Sequence, residues 1–417
     1  MANVINLPFN PKKPTLMHLD LNSCFATIEQ QANPRLRGKP IAVAAYNSPS
    51  GCILAPSIEA KKLGIKVGFK VRDAKILCPN LIVLSPDPNK YRNIHLKFRA
   101  ILEGYSSDVI PKSIDEFVLD LKDSLALKKG ITEVAIEIKQ RIKTEIGEWL
   151  TISVGIAPNR FLAKTAAGLH KPDGLDVIDC NSYLKIYQNL GLMDLCGIKT
   201  RNTVRLNNMG IFTVLDFYDS PIWKLKAAFK SITGYYWFLR LHGWEIDDVT
   251  IKRGSYGNSF ALPKPFITSE ELAPLLQKLV EKTGFRLRKA GYKCRGVHLS
   301  IVYRDFTYWH QGVSFADFLF DSKDIYKRIF RLLLKCPFQK PVRSLAVSVF
   351  NLEKNTNTQI SLLEDLIVKE SLVKAVDCIN EKWGDFIITP ATMLGTGNIM
   401  PDRISFGGIK ALEEIIT

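Results

Sequence analysis

The sequence predicts a multi-domain α/β protein, and three observations carry that prediction. Strand-like and helix-like segments alternate from the start to about residue 179. A later stretch, 255–350, reads strand, helix, strand, strand, helix, strand, the ferredoxin-like β-α-β-β-α-β order. At 417 residues the chain exceeds what one compact core holds, so three or four domains are expected.

The elements follow in order. Residues 15–21 (Thr-Leu-Met-His-Leu-Asp-Leu) read as a buried strand that leads into a helix through Glu29. Strand 40–45, helix 57–63, helix 89–104, strand 115–121, helix 130–147 and strand 151–157 are examples of the alternation that follows. A region of short helices covers 186–248, and 249–254 is a linker. The second pattern comprises strand 255–262, helix 268–290, strands 294–304 and 307–315, helix 321–335 and strand 341–350. A polar run, Glu353 to Thr358, opens a tail.

Charge narrows the partners. Lys and Arg number 57 against 41 Asp and Glu, and a net charge of +16 favours a polyanion. No apolar run is long enough to span a bilayer, and Met1-Ala2-Asn3-Val4 lacks the layout of a secretory signal. A cytoplasmic protein without a membrane partner is expected. Within 252–350 there are 18 Lys and Arg against 7 Asp and Glu. That concentration points to a dedicated polyanion-binding module rather than a diffuse solubilising charge. The eight cysteines are scattered without a CxxC pair and read as reduced thiols. The six histidines are dispersed too, so neither a His-based metal site nor a Ser-His-Asp triad has local support.

The chemistry concentrates in carboxylates. In Ser113-Ile114-Asp115-Glu116-Phe117-Val118-Leu119-Asp120-Leu121, two adjacent acids interrupt an apolar alternation. Neighbouring strand residues face opposite ways, so one of the pair turns inward unless a cation neutralises it. Asp20 poses the same problem at the end of another apolar strand. Singly, each reads as a solvated strand-end acid. Together they suit a pair of Mg²⁺ ions held on rigid neighbouring strands, for which Mn²⁺ can substitute. Acid–base work by paired carboxylates, as in a glycosidase, is the competing use, and it leaves the basic module unexplained.

Asp20-Leu21-Asn22-Ser23-Cys24-Phe25-Ala26-Thr27-Ile28-Glu29 together with Ser113-Ile114-Asp115-Glu116 resembles the Y-family translesion DNA polymerases, which include the DNA polymerase IV and UmuC groups. Gly51 to Ala55 leading into Glu59 to Ile65, then Val154 to Lys164, then His170-Lys171-Pro172-Asp173-Gly174 match in the same order. The resemblance implies a right-hand polymerase. Its palm would be 1–28 with 89–185, its small fingers 29–88 and its helical thumb 186–248. The ferredoxin-like little finger would span 255–350, with a tail over 351–417. It implies Asp20, Asp115 and Glu116 as catalytic metal ligands, with the Leu21 carbonyl as a further one. Phe25 matches the steric gate against a ribose 2′-hydroxyl, and Lys164 the triphosphate-binding lysine. Asn22 replaces a frequent Asp and takes no metal role. Cys24 replaces an aromatic beside the gate. In the fingers helix, Ile58 and Lys61 stand where a Tyr and an Arg contact the triphosphate. Lys61 keeps the charge without the bidentate fork, and Ile58 cannot hydrogen-bond.

The same resemblance supplies the partners. Gly197-Ile198-Lys199-Thr200 before a helix resembles a helix-hairpin-helix, whose backbone N–H groups face a DNA phosphate. Arg286, Arg288, Lys293, Arg295 and Arg304 are the candidate DNA contacts of the little finger. Gln359, Leu362 and Leu363 resemble the motif that docks bacterial polymerases on the sliding clamp. Expected is a monomeric, low-fidelity, low-processivity DNA polymerase that takes primer-template DNA and dNTPs in translesion repair. Two rivals share part of the pattern. They are a non-catalytic DNA- and clamp-binding protein on a decayed polymerase fold, and a palm-type nucleotidyl cyclase.

Overall fold

The computed structural model describes residues 7–249, 253–337, 340–354, 364–384, 386–397 and 399–400. Two compact units, 1–250 and 251–402, divide inside the stretch expected to be a linker. Among the described residues no helix is long and apolar enough to cross a membrane.

The first unit opens with β1 (Leu16–Leu21), α1 (Cys24–Ala32), β2 (Ile41–Ala44), β3 (Ile53–Pro56), α2 (Ile58–Lys62), α3 (Val71–Leu77) and β4 (Ile82–Leu84). There follow α4 (Pro88–Glu103), β5 (Asp108–Pro111), β6 (Glu116–Asp120), α5 (Ile131–Arg141), β7 (Ile152–Ala157), α6 (Arg160–Leu169) and β8 (Leu175–Val177). The main sheet has the order β5-β6-β1-β7-β8, so β1 is its central strand, antiparallel to both neighbours.

Strand periodicity sorts the two faces of this sheet. Met17, Leu19 and Leu21 point into one core with Phe117, Leu119, Val154 and Ile156, closed by Phe98 of α4 and Val134 and Ile138 of α5. The alternate residues, His18 and Asp20, share the opposite face, over which α6 lies against β1 and β7. Gly155 sets how close α6 comes. A Cβ there would stand 2.0 Å from the Ala163 carbonyl oxygen and 2.1 Å from the Ala167 nitrogen. Only glycine admits that approach.

A smaller sheet, β3-β2-β4, carries α2 and α3 around Ile53, Ile65 and Val71. The Gln30 amide of α1 reaches Glu59 Oε2 at 3.1 Å and the Lys39 carbonyl at 3.3 Å, tying this sheet to the first helix. Five short helices close the unit: α7 (Tyr183–Asn189), α8 (Thr200–Asn207), α9 (Val214–Asp219), α10 (Ile222–Phe229) and α11 (Thr233–Leu241). They pack around Tyr187, Phe217, Trp237 and Leu241.

The second unit has the anticipated β-α-β-β-α-β order: β9 (Ser255–Phe266), α12 (Ser269–Lys289), β10 (Tyr292–Tyr303), β11 (Tyr308–Leu319), α13 (Ser322–Leu333) and β12 (Val342–Lys354). Its sheet, β11-β10-β12-β9, is antiparallel throughout. Leu272, Leu276 and Leu279 of α12 and Ile325 and Ile329 of α13 pack on Val297, Leu299, Leu345 and Val347 of the sheet. Thr268 and Glu271 form a capping box that starts α12.

The longest element that went unforeseen lies beyond this fold. The tail contains a long helix, α14 (Glu364–Trp383). It holds the second unit by ion pairs, from Asp377 to Arg288, Glu381 to Lys289 and Glu370 to Lys293. Its large apolar side chains Val368, Leu372 and Trp383 are exposed.

Candidate active site

The register of β1 and β6 brings the carboxylates together. Asp20 and Glu116 are direct cross-strand partners, and the Leu21 N–H donates to the Asp115 carbonyl at 2.9 Å. Ligand atoms of Asp20, Glu116 and a residue the sequence did not single out, His18, all lie within 4.8 Å of one another. Asp115 stands beside them and accepts a 2.5 Å hydrogen bond from the Ser113 hydroxyl.

So much negative charge needs cations, and the chain supplies them. Lys171 Nζ lies 2.5 Å from Asp20 Oδ2, and Lys164 Nζ lies 2.5 Å from Glu116 Oε2. Lys61 is a third: burial and the neighbouring Lys171 lower its pKa, while Asp20 and Asp115 act to raise it. The acids respond unequally. Burial pushes Asp115 up to about 6, against the Ser113 hydrogen bond, and the charges of Asp20 and Glu116 push the same way. Burial also raises Glu116, but His18 and Lys164 overcome it and hold that carboxyl down at about 2. One group is thus stabilised as an anion by its own neighbours, and the other is starved of positive charge.

The flanking residues form the wall. Asn22 is held against β7, its side-chain amide and the Ser153 hydroxyl in hydrogen-bond contact at 2.8 Å. Phe25, in the first turn of α1, is buried and stacks on Tyr91, centroids 4.3 Å apart. Cys24 is buried beside it, its thiol pKa raised well above normal by burial and then by Asp115 and Asp20. Ile58 starts α2, and Lys61 lies one turn on. Lys164 projects from α6 onto Glu116, and the second lysine on the acids is Lys171, from the turn after α6.

The sequence reasoning missed His18, Lys171 and Ser113. His18 carried a usable signal, because in a strand the residue two before Asp20 shares its face. Lys171 carried none locally, since the chain reaches Asp20 only after 151 residues of return path.

The DNA-contact candidates are spread over both units. Gly197 adopts φ +92°, and Lys199 caps α8 with its Nζ 3.4 Å from the Met193 carbonyl oxygen. In the second unit Arg288 is engaged internally: it binds Asp377 at 2.6 and 2.8 Å and donates to the Phe320 carbonyl at 3.0 Å. Lys293 is held by Glu370 at 2.8 Å, and Arg286 donates to Gly257 and Asn258, both at 3.1 Å. Arg295 is exposed, its guanidinium 3.8 Å above the Phe318 ring, and Arg304 is exposed on the loop after β10. Gln359, Leu362 and Leu363 lie outside the described residues.

Comparison with known proteins places this geometry. Residues 19–168 match the impB/mucB/samB family, and 253–362 match the impB/mucB/samB family C-terminal domain. The DNA polymerase IV of Pelotomaculum thermopropionicum is 33% identical over 391 residues, spanning 92% of this chain and 96% of that one. The DNA polymerase IV of Acetivibrio thermocellus is 31% identical over 393 residues, 92% of this chain and 98% of the relative. Among solved structures, a Y-family DNA polymerase chimera of Dbh and Dpo4 superposes with a TM-score of 0.72 at 25% identity, covering 82% of this chain and 99% of that one. With both halves matched and the relatives spanned almost end to end, the chain belongs to the impB/mucB/samB family of Y-family DNA polymerases.

Proposed function

We propose that the chain copies a DNA template by adding dNTPs to a primer 3′-end at the Asp20, Asp115 and Glu116 cluster. The carrying observation is that cluster: carboxylates gathered by strand register and met by the ammonium groups of Lys164 and Lys171. Oxygen donors around an anion-rich floor suit a hard divalent ion. Asp20, Asp115, Glu116 and the Leu21 carbonyl would hold two magnesium ions. Bound there, these ions supply an acidified 3′-hydroxyl and charge compensation for the departing pyrophosphate.

The protein's own groups do the rest. The primer oxygen attacks the α-phosphorus as the bond to pyrophosphate breaks. Lys171, freed from Asp20, turns to the triphosphate, with Lys61 beside it. Lys164 pairs with Glu116 until a cation takes that carboxylate. Phe25 bars a 2′-hydroxyl from its place on α1. A fingers wall with Ile58 in place of a hydrogen-bonding residue grips the nucleotide weakly, which suits a polymerase that accepts distorted template bases. Gly197 and Lys199 at the start of α8, with Arg295 and Arg304, hold the duplex backbone without reading sequence. Gln359, Leu362 and Leu363 dock on the sliding clamp, and the monomer works in the cytoplasm.

Primer extension tests the reading. Asp115→Ala is expected to abolish extension on undamaged and abasic templates while leaving metal-free DNA binding within about twofold, since Asp115 is a strand-end acid and not a duplex contact. Extension that survives the substitution, or loss of DNA binding with it, rejects the assignment. A decayed, non-catalytic protein would bind DNA and extend nothing even as wild type.

A further inference from the structure

Beneath the carboxylates lies a group that this reading leaves without a task. His18 is 2% exposed and faces Val118 and Gly155 across β1. Its Nε2 has no hydrogen-bond partner, although it stands 3.6 Å from Glu116 Oε2. A buried ring nitrogen without a partner carries a desolvation cost that an aliphatic side chain on the same strand would not incur. A gap of a few tenths of an ångström beyond hydrogen-bond length is closed by a small turn of the carboxylate.

The present partner of that oxygen comes from the other side. Lys164 Nζ binds Glu116 Oε2 at 2.5 Å and is 37% exposed, reaching in from solvent. An ammonium and a divalent ion on one carboxylate repel each other strongly in a buried site. A cation binding to Glu116 therefore loosens Lys164 and frees the carboxylate to rotate at the moment its orientation matters. We propose that His18 is a positioning residue. Its Nε2–H takes Glu116 Oε2 from the buried side and fixes the carboxylate plane while the cation is bound. The proposal rests on the two-metal reading of the site, and adds to it a support for one ligand. Outer partners of this kind typically set metal affinity by about 10- to 100-fold.

The test measures Mn²⁺ binding by electron paramagnetic resonance on the full chain with a dideoxy-terminated primer-template, where no chemistry occurs. Primer extension is titrated with Mg²⁺ in parallel. His18→Leu is expected to weaken Mn²⁺ binding about tenfold or more and to raise the half-saturating Mg²⁺ in proportion. The metal-free DNA affinity should stay close to wild type. His18→Gln, which keeps an N–H of similar reach, should recover most of the affinity. Wild-type Mn²⁺ affinity in His18→Leu overturns the proposal, as does His18→Gln behaving like His18→Leu. Should His18→Leu not fold, His18→Asn carries the same test, because its shorter amide falls short of Oε2. If wild type and Asp115→Asn bind Mn²⁺ alike, the two-metal reading itself is wrong and the proposal falls with it.

Discussion

At the residue scale, the structure brings a second lysine to the acids beside the one that motif matching picks for the triphosphate. Matching to the family picks Lys164 for the phosphates, and the structure adds Lys171: each ammonium is paired with a carboxylate at 2.5 Å, Lys164 with Glu116 and Lys171 with Asp20. Lys171→Ala is therefore expected to raise the dNTP KM. A charged hydrogen bond is worth about 1.5–3 kcal/mol, so the rise should be about 10- to 100-fold. Lys164→Ala should instead lower turnover with a smaller change in KM. Steady-state extension of one nucleotide separates the two, and equal KM effects would return the phosphate role to Lys164. Asp20, Asp115 and Glu116 were legible because acids in an apolar alternation contradict their surroundings. His18 and Lys171 were not, because a histidine in a hydrophobic strand and a lysine before a proline contradict nothing locally.

At the element scale, long and strongly periodic segments were read well, and short ones were lost. α3 has seven residues, β4 three and β5 four, too few for either hydrophobic period to show. α14 was lost for a different reason. Its apolar side chains Val368, Leu372 and Trp383 are exposed, and its charged side chains, Lys369 as well as the three acids, make the ion pairs, so the apolar stripe does not mark the packed face. The Arg288–Asp377 pair is the strongest link, two-pronged and with both side chains less than a fifth exposed. Removing one partner leaves the other partly buried and uncompensated. Asp377→Ala should cost about 2 kcal/mol, read as a lower denaturation midpoint in urea. The double variant Arg288→Met with Asp377→Leu should recover much of that loss. A midpoint unmoved by Asp377→Ala would show that the tail helix is held by something other than its ion pairs. The same engagement takes Arg288 and Lys293 out of the free basic surface, a distinction that a count of charges in 252–350 cannot make.

At the scale of the whole molecule, the fold class and the order of parts were legible because they follow from length, periodicity and the sequence of strong elements. Stability against pH was not, since it depends on which histidines the packing encloses. Burial lowers the pKa of His95, stacked on Phe117, and of His242, stacked on Tyr218, in each case against a hydrogen bond to a carbonyl that works the other way. A base whose folded pKa lies below its unfolded value of about 6.5 binds more protons when unfolded. Its neutral form thus stabilises the fold above that value, and the contribution is lost as pH falls through about 6.5 and levels off below the folded pKa. The thermal midpoint should drop on acidification from pH 7.5 to 5.5, and His95→Gln should flatten part of that slope. A slope unchanged by the substitution would assign the acid sensitivity elsewhere.

Gly155 touches no nucleotide, metal or template in any of these readings, yet the helix resting on it leaves room for nothing larger. The platform that aims Lys164 is seated by a missing methyl group. Over long divergence such a position would be held as fast as Asp20, and for an unrelated reason. A survey ranking positions by invariance would set the two side by side, the reagent and the hinge-pin, and only the contact distances would tell them apart.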